Sequence, residues 1–146
     1  MYTRKKQRAD ILSEIETLLF DLEKRLQFAA VPIRDWLLEI VNSARFPRLV
    51  FLEKMLFLLD KEDLETAWQT ALKETRILSK DDIAALCVLG THLGKSDVQT
   101  QLKSIEETAV SISFNKKKAI EKAETSGKVY VGLGVCVGMA TALLLV

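Results

Sequence analysis

The chain has 146 residues, with 21 Lys and Arg against 20 Asp and Glu, one His and a formal net charge of +1. That near balance gives no strong global reason to expect nucleic acid or a polyanionic substrate, since phosphate binding normally shows as a concentrated basic surface. The length fits one domain plus an appendage, and Cys87 and Cys136 are too far apart for a disulfide framework or a paired-cysteine metal site.

The start, "MYTRKKQRADILSEIETLL", runs from a basic flank over residues 1–8 straight into a helical pattern, without the apolar core of a secretory leader. Its cations, Arg4, Lys5, Lys6 and Arg8, read as a solvated helix start, with contact to anionic lipid or nucleic acid as the other reading. Residues 9–29 place Ile11, Leu12, Ile15, Leu18, Leu19, Leu22 and Leu26 on one broad face, which predicts a bundle-wall helix. Pro32 opens a second helix at its first turn, with Ile33, Trp36, Leu37, Ile40 and Val41 apolar. Pro47 is expected to start a third, whose Val50, Phe51, Met55, Leu56, Leu58 and Leu59 are mostly core.

Asp60 to Asp63 form a charged break that caps a fourth helix bearing Leu64, Ala67, Trp68, Ala71 and Leu72. A tryptophan at helical spacing among leucine and alanine reads as core rather than as a binding anchor. Ser79 followed by Asp82 resembles a capping arrangement for the fifth helix, which Gly94 ends and in which Gly90 permits close backbone packing. Ser96 with Gln99 is the capping box expected for a long sixth helix from Asp97 towards Ala123. Short beta-branched runs and the lack of hairpin turns leave little strand signal. The fold class is therefore all-α: a compact six-helix bundle over residues 9–128.

Every charged residue lies within residues 1–128, and Val129 to Val146 are 18 uncharged residues, about 27 Å long as a helix. A buried bundle helix and a membrane helix are the two readings. Three glycines and the lack of a polar face favour a C-terminal transmembrane helix over 129–146. Gly134, Gly138 and Ala142 would form its close-packing stripe, and Lys116, Lys117, Lys118, Lys122 and Lys128 would keep the bundle in the cytoplasm.

No catalytic, cofactor or metal constellation emerges. His92 sits near a helix C-terminus, where it favours the dipole, and no HExxH or CxxC spacing supplies metal ligands. Asp81 and Asp82 are adjacent and so do not face each other on a helix. "GLGVCVG" lacks the lysine and hydroxyl of a phosphate loop, and no GxSxG elbow is present. The reading is non-enzymatic.

The segment "LGTHLGKSDVQTQ" carries Leu89, Gly90, Leu93, Gly94, Asp97 and Gln101 in the order LGxxLGxxDxxxQ. It resembles the signature of the stage III sporulation protein AB family, as do Leu22, Glu23, Leu26, Phe28 and Pro32, the Ala67 and Trp68 pair, and Leu133 with Gly134. The resemblance implies a helical cytoplasmic domain similar to the platform proteins of type II secretion and type IV pilus systems. It further implies a non-enzymatic membrane platform in the channel between mother cell and forespore. The partners implied are other channel subunits, a secretion-type ATPase and membrane lipid, with oligomerisation and no nucleic acid, and the implied place is the mother-cell membrane, single-pass at the C-terminus.

Two departures stand out. Family members begin with an apolar segment, so this chain is expected either to use its C-terminal anchor alone or to have a truncated start, and Arg25 stands where an acidic residue is expected. For Gly90 and Gly94 a packing glycine followed by a helix cap is weighed against presentation to a partner. Asp97 is likewise weighed between helix start and partner contact. A tail-anchored helical adaptor or regulator binding a soluble partner is the alternative function.

Overall fold

A computed structural model describes the backbone of residues 2–28 and 32–144 and the side chains of residues 6–28 and 32–121. Leu12, Ile15, Leu19 and Leu22 recur every three or four residues, and all are buried on one side of α1, Tyr2–Phe28. Each such side chain contributes roughly 1.5 to 3 kcal/mol when fully withdrawn from water. The helix takes in residues 2–8 of the basic flank, and Arg8 takes part in the interior contacts described below.

Pro32 precedes α2, Ile33–Ser43, and its carbonyl accepts the Trp36 N–H at 3.0 Å, so the proline closes the first turn without needing a donor of its own. Trp36, Leu37 and Ile40 form the buried face. The helix stops at Ala44, whose φ of 54° is left-handed and whose N–H turns back to Val41 at 3.3 Å.

The third helix, α3, is Phe51–Leu58, beginning four residues later than Pro47 led us to expect. The Leu49 N–H donates to Phe46 at 3.1 Å, which places Pro47 at the second position of a tight turn, where its fixed φ is favourable. Val50, expected in the core, is consequently 69% exposed, while Phe51, Leu52 and Met55 are buried. Asp63 caps α4, Leu64–Lys73, by accepting the Thr66 N–H at 2.9 Å. Ser79 caps α5, Lys80–His92, through a reciprocal box with Asp82.

The last helix, α6, runs unbroken through Val98–Leu144. Each helix from α2 to α6 packs on the next, and α6 packs back along α1, closing a compact six-helix bundle. Ala67, Trp68, Ala71 and Leu72 of α4, Leu86 and Leu89 of α5, and Ile105, Ile112 and Ala119 of α6 complete the core. Ion pairs at the surface tie α1 to α2 and to the loop after it, Arg25 with Glu39 and Asp21 with Arg45 at 3.2 Å. They add little stability in water but fix relative orientation.

The expected C-terminal transmembrane helix, and the single-pass placement in the mother-cell membrane that rested on it, are withdrawn. No helix among the described residues is long and apolar enough to cross a membrane. Along the described part of α6, Lys103, Glu106, Glu107, Lys116, Lys117, Lys118 and Glu121 interrupt every long apolar stretch. The expectation drew on an uncharged run of 18 residues, at the short end of what a bilayer core requires. The close-packing stripe of Gly134, Gly138 and Ala142 lies outside the residues whose side chains are described.

Candidate functional site

The turn joining α5 to α6 gathers the six signature residues. Leu89 and Leu93 project into the core with no exposed surface. Gly90, between them, faces the indole of Trp68, whose Nε1–H donates to the Leu86 carbonyl at 2.6 Å. That bond satisfies the buried indole donor and holds the ring over the glycine.

Gly94 adopts φ +76°, a conformation that L side chains rarely take, and so lets the chain leave α5 and reverse. Gln101, on the first turns of α6, reaches back to this reversal. Its Oε1 accepts the Gly94 N–H at 3.1 Å and its Nε2 donates to the Ser96 carbonyl at 2.7 Å. One amide thus satisfies both a donor and an acceptor of the turn.

Asp97 provides the helix cap. Its carboxylate accepts the Thr100 N–H at 3.1 Å and the Thr100 hydroxyl at 2.6 Å. The hydroxyl, followed by the backbone N–H, holds the Asp97 carboxyl below the ordinary carboxylate range. The box expected from Ser96 and Gln99 does not form, because Ser96 instead meets His92 Nδ1 at 3.2 Å and Gln99 is exposed. Of the six signature residues only Gly94 and Asp97 are exposed to solvent.

A second polar centre lies at the opposite end of α5. Asp82 is fully buried, and its two oxygens take four hydrogen bonds from three elements. Oδ2 accepts Arg8 Nε at 2.8 Å and the Ser79 N–H at 2.9 Å. Oδ1 accepts Arg8 Nη2 at 3.0 Å and Asn115 Nδ2 at 2.9 Å. Burial pushes the carboxyl up, but the Arg8 bonds, the Ser79 N–H, the Arg8 charge and the Asn115 amide together hold it below its ordinary value. Arg8 is in turn raised by its hydrogen bonds to Asp82.

This arrangement supplies structure rather than a reacting group. The adjacent Asp81 is exposed while Asp82 is buried, so the two carboxylates form no acid pair. No cluster of metal-ligating side chains occurs among the described residues. Cys87 is half-buried, and burial raises its thiol away from the reactive thiolate.

The sequence reading identified the α5–α6 turn and the Ser79 start of α5. It missed the Asp82 junction, because Arg8 and Asn115 lie 74 and 33 residues away. The local signal was a Ser three residues ahead of an Asp, which announces a cap but not its distant partners.

Fold and polar contacts together define a helical structural module whose buried polar side chains fasten one helix to another. The chain belongs to the stage III sporulation protein AB family, whose model matches residues 1–146. The family is non-catalytic, and the role of this chain is one in sporulation. Comparison with curated proteins and with solved structures finds no match.

Proposed function

We propose that the chain is a structural subunit of the channel complex between mother cell and forespore, organising neighbouring subunits without turning over a substrate. The observation that carries this reading is the family match across the whole chain. It is supported by the α5–α6 turn, where Gln101 of α6 bonds both the Gly94 N–H and the Ser96 carbonyl. A likeness to secretion and pilus platform proteins, which the family resemblance implies, would extend the reading to the partners. Other channel subunits, including a secretion-type ATPase, would dock on the bundle, and Gly94 and Asp97, the exposed signature residues, would meet one of them.

Cross-linking in sporulating cells, followed by affinity capture of the tagged full chain, tests this directly. Cross-links to channel subunits or to the ATPase are expected. Capture of the chain without any sporulation-specific protein would overturn the proposal.

A further inference from the structure

A groove lies where α1, the start of α3 and the end of α4 meet. Its floor is apolar: Ile11, Phe51 and Ala71 line it and are all but buried, and the small Ala71 leaves the depression open. Two ion pairs bound it, Arg48 to Glu14 at 2.8 Å between α3's approach and α1, and Lys54 to Glu74 at 2.6 Å between α3 and α4. Val50, 69% exposed, and Arg76 also line it.

The charges lining the groove are unequal. Arg48, Lys54 and Arg76 face it with Glu74 as the one acid. Glu14 and Asp10 offset Arg48 from outside, and Glu74 offsets Lys54. Arg76 is exposed and forms no ion pair among the described residues, so the surplus of the groove is its guanidinium. An apolar floor with an unmatched guanidinium at its edge complements an aliphatic side chain next to a carboxylate.

We propose that this groove is a docking site for an amphipathic acidic helix of another protein, which seats an aliphatic residue over Ile11, Phe51 and Ala71 and pairs a carboxylate with Arg76. The occupant is a protein segment because the site combines a narrow apolar floor with one charge. A nucleic acid would require a broad basic track.

A photoreactive benzoylphenylalanine placed at Val50 of the full chain, and separately at Lys54, tests the proposal in sporulating cells. Residue-resolved mass spectrometry of the products should find one segment of a different protein, with apolar residues at helical spacing flanked by Asp or Glu. Arg76→Glu should lower the yield about fivefold to tenfold, as expected for a lost charge-assisted contact, while Arg76→Lys retains most of it. The proposal is overturned by products with a second copy, with lipid or with a basic segment, by no product from either position, or by a yield that Arg76→Glu leaves unchanged. An acidic helix from a protein outside the sporulation complex would support the groove while counting against the channel-subunit reading.

Discussion

Trp68 occupies the space that a β-carbon at Gly90 would need: built at ideal geometry, that carbon falls 2.5 Å from Cδ1 and 2.9 Å from Cγ of the indole. The ring cannot retreat freely, because its Nε1–H is bonded to the Leu86 carbonyl and the residue is buried. Gly90→Ala should therefore destabilise the bundle by about 1 to 2 kcal/mol, the overpacking cost exceeding alanine's better helix propensity. Urea unfolding followed by tryptophan fluorescence checks this; an unchanged midpoint would show that α4 and α5 yield more easily than their contact implies.

The left-handed turn at Gly94 leads to a second expectation. Gly94→Ala places a side chain at φ +76° and should cost about 1 to 2 kcal/mol. Gln101→Ala removes two hydrogen bonds from the same turn, a loss of about 1 kcal/mol for each. Amide exchange at Gly94 should accelerate in Gln101→Ala while exchange in the middle of α1 stays slow. Equal acceleration throughout would mean that the turn does not open independently.

Asp82 gives a pH dependence with a definite sign. Its folded-state value lies below the ordinary 3.8, so its contribution to stability is complete above that value and is lost as pH falls through the folded-state value. Asp82→Asn should destabilise the protein at neutral pH by about 2 to 3 kcal/mol, because Arg8 loses its paired carboxylate. The difference between the two proteins should shrink as the medium is acidified below pH 3.8, measured by thermal unfolding across a pH series. A constant difference would remove Asp82 ionisation from the account.

The order of helices was legible because their apolar residues recur every three or four positions, as in Leu12, Ile15, Leu19 and Leu22. Helix ends were less so. Pro47 reads equally as a helix opener or a turn residue, and the tertiary setting of Phe46 and Leu49 decides for the turn. Ala44 ends α2 in a left-handed conformation that sequence assigns to glycine or asparagine. The signature glycines carry backbone consequences that can be stated from residue type alone, and Gly94 does take the left-handed conformation expected of a helix end. The Gln101 clamp bonds a helix side chain to the backbone of the preceding turn, and the Asp82 junction depends on side chains meeting across separate helices; periodicity along one helix encodes neither.

The most direct measurement is the frequency of heat-resistant spores after deletion of the gene and complementation with defined variants. Deletion should sharply reduce spores, the combined Asp81→Ala and His92→Ala variant should restore them, and Gly90→Val, which wedges α5 from Trp68, should not. Normal sporulation after deletion, or failure of a stably folded Asp81→Ala and His92→Ala protein, would contradict a purely structural role in spore formation.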